Sequence, residues 1–190
     1  MEFTLTYRGP LKANAGPREK QKIRRVIHQQ LRTLWGQNPL AMLLASKPNY
    51  YLVDHPPAGW LSIIRPLCGF RLAPLVTPDL YLIAELTITF LRPEAPGSLI
   101  TQGGDIDNRI KTLLDALRIP KDSKELPAGD VPGQHEDPFF CLLEDDNLVT
   151  RLAVTTDRLL EPVSSPSEVL LLIRVLIKRT IGTMENLTLG

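Results

Sequence analysis

Gly103-Gly104-Asp105-Ile106-Asp107-Asn108-Arg109-Ile110-Lys111-Thr112-Leu113-Leu114-Asp115-Ala116-Leu117 is the stretch on which the reading of the chain turns. Ile110, Leu113, Leu114 and Leu117 recur at i, i+3, i+4 and i+7, which predicts a helix over 105–117 with one face in a core. At its start, Asp105 and Asp107 flank Ile106. In an extended lead-in, side chains alternate, so both acids share one side while Ile106 turns inward. Lys111 follows Asp107 by four residues, one turn further along the same exposed face. Two carboxylates at one point attract a cation. The plainer alternative is that Asp107 caps the helix and Asp105 is solvated.

Working outward, Leu80 to Leu91 carries Ile83, Thr87, Ile88 and Thr89 and predicts a central strand. Glu2 to Tyr7 alternates with period two, a half-buried strand. After a loop with Gly9, Pro10, Gly16 and Pro17, the residues Ile23, Val26, Ile27, Leu31 and Leu34 predict a helix over Arg18–Trp35, with Pro17 at its first turn. Leu148–Thr156 and Val169–Lys178 predict two further strands, and Arg118–Pro138 a polar loop. Proline, at 17 of 190 residues, is well above the usual ~5%. Seven prolines fall in Gly36–Pro78, an irregular excursion with short strands expected near Tyr50–Val53 and Leu61–Ile64. Mixed helices and strands without repeats or a linker predict a single α+β domain: a mixed β-sheet with helices packed on it, and insertion-like segments at 37–79 and 119–138.

Several classes are excluded early. No run approaches the ~20 apolar residues that span a bilayer, the best one, Val169 to Ile177, being broken by Arg174. Membrane association is therefore not expected. The start lacks a basic region ahead of an apolar block, so a cytoplasmic location is expected. Cys68 and Cys141 fit no zinc or disulfide spacing and are expected to be small buried residues. His28, His55 and His135 are isolated, which argues against histidine catalysis.

The net charge of +1 conceals two opposed segments. From Arg8 to Arg32 eight bases face one acid, a local +7; from Lys121 to Asp146 eight acids face two lysines, a local −6. A basic loop entering a helix can supply phosphate contacts through side chains and backbone N–H groups. It can equally be a solvated helix face. An acidic loop beside a DNA site would repel phosphates, so it is expected to fold away, to order on binding, or to limit non-specific cutting.

The acids at 105 and 107 do not fit a calcium loop of the EF-hand type, because positions 5, 6 and 12 are Arg109, Ile110 and Ala116. A second cluster, Glu144-Asp145-Asp146, stands before the strand that begins near Leu148, where a turn can bring a third carboxylate against the first two. Three carboxylates and a lysine suit magnesium-dependent phosphodiester cleavage. Asp105-Ile106-Asp107-Asn108 with Lys111, then Leu114-Asp115-Ala116-Leu117, then an apolar approach to Asp145-Asp146 and Val149, resemble the RusA-like Holliday junction resolvases over 104–154. The loop with Pro10 and Asn14 and the basic helix add weaker support.

The resemblance implies a RusA-like fold and a structure-selective endonuclease that resolves four-way junctions in DNA recombination and repair. Asp105, Asp107 and Asp146 would be metal-binding and catalytic carboxylates, Lys111 the catalytic lysine, Asp145 an auxiliary ligand, and Asn108 and Asp115 supporting residues. The cofactor would be Mg2+, with Mn2+ as a substitute, and the partners branched DNA and a second copy of the chain in a homodimer. Lys12, Asn14, Arg18, Lys20, Lys22, Arg24 and Arg25 are the candidate DNA contacts. The long acidic 118–144 connection and the excursion at 36–78 depart from the family pattern. Tyr50, Tyr51 or Trp60 could stack on exposed bases or fill local core. Two rivals remain: a nucleotidyltransferase of the polymerase-beta type, for which six residues separate Gly97-Ser98 from Asp105, and a non-catalytic DNA-binding module.

Overall fold

Period-two burial builds the centre of the molecule. In β4 (Leu82–Arg92) the side chains of Leu82, Ala84, Leu86, Ile88 and Phe90 are buried, and in β7 (Glu168–Arg179) those of Val169, Leu171, Ile173, Val175 and Ile177. The two strands pair antiparallel with Leu86 opposite Val175 and Phe90 opposite Leu171, so the inward residues stack in rows. Each large side chain removed from water in this way contributes ~1.5–3 kcal/mol. The computed structural model describes residues 1–46, 52–56, 58, 61–93 and 106–189. Within them β1 (Glu2–Pro10) joins the other side of β7 antiparallel, and β6 (Val149–Arg158) runs parallel to β4. The order is β1-β7-β4-β6, a mixed sheet.

Helices α1 (Pro17–Trp35) and α3 (Ile106–Leu117) lie against its apolar side. Pro17 occupies the first turn of α1, and Glu19 and Arg32 complement the helix dipole at its two ends. Ile23, Ile27, Leu31 and Trp35 are buried, whereas Val26, part of the expected apolar stripe, is 37% exposed. Its place at the interface is taken by polar residues: Gln21, Arg24 and His28, all buried at helical spacing. Gln30 closes the free edge of β1, accepting from the Thr6 N–H at 2.8 Å and donating to the Thr6 carbonyl at 2.7 Å, as a neighbouring strand would. The other sheet face is polar, with ion pairs from Glu85 to Arg151 at 3.8 Å and to Lys178, and from Glu2 to Arg174. This is a single α+β domain with mixed sheets, as the sequence predicts.

The excursion at 36–78 is more ordered than its prolines suggest. It contains α2 (Leu40–Ser46) and the hairpin β2 (Arg65–Leu67) and β3 (Phe70–Val76), and β3 pairs parallel with β5 (Phe139–Leu143) in a second sheet of order β2-β3-β5. The strand expected at Leu61–Ile64 is irregular chain that leads into β2, Leu52 and Val53 form no strand, and Tyr50, Tyr51 and Trp60 lie outside the described residues. β3 tolerates Pro74 because β2 reaches only as far as Leu72, so the side of β3 that would need a proline N–H has no neighbour there. β5 is the strand that periodicity misses: all five residues, Phe139 to Leu143, are buried, so there is no alternation to read. Leu40, Ile63, Ile64, Leu75 and Val76 belong to the main core, so this segment is woven into the domain. Cys141 is buried and its thiol pushed up to about 12 by burial. Cys68, expected to be buried, is exposed in the β2–β3 turn with φ +48 beside Gly69 at +83, two consecutive left-handed residues that make a tight hairpin turn.

Candidate functional site

The acidic loop and the basic helix meet. Arg25 of α1 holds Asp130 at 2.9 Å and Glu136 at 2.9 Å, Arg118 grips Glu125 through both nitrogens at 2.8 and 2.9 Å, and Lys20 pairs with Asp115 at 2.7 Å. Arg24, its side chain 1% exposed, donates to the carbonyls of Asp115 at 2.8 Å and Arg118 at 3.3 Å, capping the C-terminus of α3, and to Gln21 Oε1 at 3.1 Å. Burial pushes its pKa down, with Glu125 and Asp115 opposing that shift more weakly. His28 stacks on Phe139 with ring centroids 4.5 Å apart; its Nδ1 accepts from the Phe140 N–H at 2.8 Å and its Nε2 donates to the His135 carbonyl at 3.0 Å. That pattern fixes a neutral ring, consistent with a pKa lowered by burial.

These contacts correct the expected DNA interface. Arg24 cannot reach a phosphate, and Arg25 and Lys20 are committed to carboxylates inside the protein. Asp115, expected as a supporting residue, ties α1 to α3 through Lys20 and also pairs with Arg118 three residues on. Asp130 and Glu136 of the acidic loop are seated on α1 through Arg25, and Glu125 is held by Arg118. Lys12, Arg18 and Lys22 stay exposed around the entry to α1, with Asn14 exposed in the preceding turn at φ +52, and the three bases make no ion pair among the described residues.

On the far side of α3 a different surface opens. Asp107 and Lys111 are both exposed and line an open groove of about 410 Å³ between α3, which also contributes Ile106, Ile110 and Leu114, and Leu152 and Val154 of β6. Leu152 and Val154 pair with Leu86 and Ile88 of β4, and Leu152 is 41% exposed because α3 does not cover the edge strand. Asn108 is half-buried next to Asp107 on the helix. The described helix begins at Ile106, so Asp107 sits in its first turn rather than in an extended lead-in; Asp105, Gly104, Gly103, Ser98 and Gly97 lie outside the described residues.

The acid cluster before β6 divides. Glu144 is taken up by Arg65, at 3.0 and 3.1 Å, and by the Thr77 hydroxyl. Asp145 caps the 3-10 turn Asp146–Leu148, accepting from the Asn147 N–H at 3.0 Å, and meets the ammonium of Lys121 at 3.1 Å; Asp146 lies 4.0 Å from the same nitrogen. The Asn147 N–H chiefly, with Lys121 and Asp146 adding, holds the Asp145 carboxyl below its usual range. The turn packs against α3, but Asp146 does not line the groove of Asp107 and Lys111. Among the described residues no three acids, histidines or cysteines converge as a metal cluster. The donors at hand are carboxylate oxygens, the ligand type that magnesium takes, and Asp145 and Asp146 already hold a cationic head group. Among the described residues no helix is long and apolar enough to cross a membrane.

Lys121, which meets Asp145 and Asp146 in the structure, was not singled out in the sequence. It is one of two lysines, with Lys124, at the start of the acidic run that follows the helix. No family model matches the chain, and no curated protein or solved structure matches it either.

Proposed function

We propose that the chain is a magnesium-dependent, structure-selective endonuclease of the RusA-like Holliday junction resolvase type, acting on branched DNA as a homodimer in recombination and repair. The observation that carries this reading is the exposed pair Asp107 and Lys111 in an open groove of a helix that packs against the turn bearing Asp145 and Asp146. Asp105, Asp107 and Asp146, with Asp145 as an auxiliary ligand, are the residues that would hold Mg2+ or Mn2+, although among the described residues Asp107 does not gather with Asp145 and Asp146 in one cluster. When bound, the ion supplies charge neutralisation at the phosphate and a more acidic water. Lys111 presents its ammonium to a non-bridging phosphate oxygen and lowers the energy of the charge that develops there. Lys12, Arg18 and Lys22 bind the DNA backbone at the entry to α1. A two-fold enzyme matches the two symmetric cuts of a four-way junction.

The test is incubation with a labelled four-way junction, a flap and a linear duplex, with and without Mg2+. Magnesium-dependent cutting of branched substrates is expected, with Asp107→Asn and Lys111→Ala each reducing the rate by about a hundredfold or more while the fold is kept. Failure to cut any substrate, or undiminished cutting by Asp107→Asn, overturns the reading. Junction binding without cleavage in either ion is the outcome of a non-catalytic module. The nucleotidyltransferase alternative loses ground because Asp107 lies on a helix, not on a strand. Transfer from added nucleoside triphosphates would restore it.

A further inference from the structure

The two edges of the main sheet are finished differently. At β1 the Gln30 amide bonds both backbone groups of Thr6 and blunts the edge. At the other end lies β6, ten residues long, with β4 on one side and, among the described residues, no strand on the other. Alternate N–H and C=O groups along such a strand point away from its sheet and can accept a further strand. The devices that usually discourage one are missing from this stretch: Val149–Arg158 holds no proline and no lysine, and its register shift falls at the start, beside Ala84 and Glu85. Thr150, Arg151, Leu152, Thr155, Asp157 and Arg158 are exposed along it.

We propose that β6 is the dimerisation edge: a second copy of this chain adds its own β6 antiparallel about a two-fold axis at Val154, joining the two four-stranded sheets into one continuous sheet. The order of charges along the strand carries this. Pairing centred on Val154 sets Arg151 against the partner's Asp157 and Asp157 against the partner's Arg151, both on the polar face of the sheet. Centring on Ala153 or Thr155 instead leaves both charges opposite uncharged residues, so one register is preferred. Both groups have charge to spare among the described residues. Arg151, its side chain 68% exposed, reaches Glu85 only at 3.8 Å, and Lys178 also holds that carboxylate; Asp157 bonds the Arg158 N–H at 2.7 Å and makes no ion pair. A two-fold axis perpendicular to the sheet keeps both α3 helices on one side of it, the side on which Leu152 and Val154 line the α3 groove. The two grooves with Asp107 and Lys111 therefore open on the same face of the assembly. This supplies an interface for the homodimeric endonuclease proposed above, and only that consequence rests on that reading.

The experiment is sedimentation velocity of the full chain over a range of micromolar concentrations, for the wild type, Arg151→Asp, Asp157→Arg and the double variant, with unfolding midpoints as the control of fold and junction cutting measured alongside. The wild type is expected to dimerise. Each single variant sets like charges opposite each other on both sides of the axis and weakens association by about tenfold or more. The double variant exchanges the two signs, restores opposite charges across the axis and returns association toward wild type. A monomeric wild type, a dimer indifferent to both single variants, or a double variant no better than the singles overturns the β6 interface. A dimer that responds as expected but cuts no branched DNA keeps the interface and overturns the endonuclease; a monomeric wild type that cuts does the reverse.

Discussion

Two charged regions of this molecule differ in how far their charges are exposed. In the joint between α1, the end of α3 and the 118–138 loop, bases and acids meet one another: Arg24, Arg25, Lys20 and Arg118 against Asp115, Glu125, Asp130 and Glu136. In the groove of α3 and β6, the side chains of Asp107 and Lys111 are exposed at the surface. The first arrangement holds two helices and a long loop in place, and the second leaves charge accessible to a ligand. Local charge counts of +7 and −6 carry no information on which role a segment has, because both roles need the same residue types.

Removing the most buried member of the joint should separate the two regions most sharply. Arg24→Ala leaves carbonyls at the end of α3 without their donor and should lower unfolding free energy by about 3 kcal/mol in urea titration, without acting on DNA binding directly. A stable variant with weakened, salt-insensitive DNA binding would reverse the assignment and return Arg24 to the phosphate interface.

A smaller effect of the same kind is expected from pH. His28 is buried neutral, so its folded pKa lies below the unfolded value of ~6.5, and the unfolded chain binds more protons in that range. The stability that this neutral ring contributes is therefore complete above about pH 6.5 and is lost as pH falls through the lowered folded value. Glu136 and Arg32 are the charged groups that also act on the ring, in opposite senses and more weakly than burial. Unfolding midpoints at pH 7 and pH 5 should differ in the wild type and converge in His28→Leu; a difference of equal size in both proteins removes His28 as the cause.

The mildest change is at the mouth of α1. Arg18→Ala with Lys22→Ala should reduce junction affinity and lower the slope of log affinity against log salt by about 2, read by fluorescence anisotropy. An unchanged slope means that the exposed bases there do not touch phosphate.

Much of the scaffold was legible in the sequence because alternation and helical spacing are local. β1, α1, β4, α3, β6 and β7 all follow from periodicity, to within a few residues at each end. β5 escaped because a strand buried on both faces has no alternation, and β2 and β3 because Pro66 and Pro74 suggest a loop until their pairing is known. At the site, the exposed face shared by Asp107 and Lys111 was legible from a four-residue spacing. The division of the acid cluster was not, since Glu144 turns to Arg65 and Asp145 to Lys121, both distant in the chain.

The stripe Gln21, Arg24 and His28 shows the boundary most clearly. Its helical spacing was visible all along, but polar residues at that spacing suggest solvent until partners are found. Arg25 meets Glu136 across 111 positions and His28 meets Phe140 across 112. The sequence by itself determined the amphipathic elements β1, α1, β4, α3, β6 and β7 and which helix face carries Asp107 and Lys111, because those follow from the backbone's own periods of 2.0 and 3.6. Only the tertiary structure decided which charges are spent on one another, because a guanidinium can be buried only where distant carbonyls and carboxylates converge to replace its water.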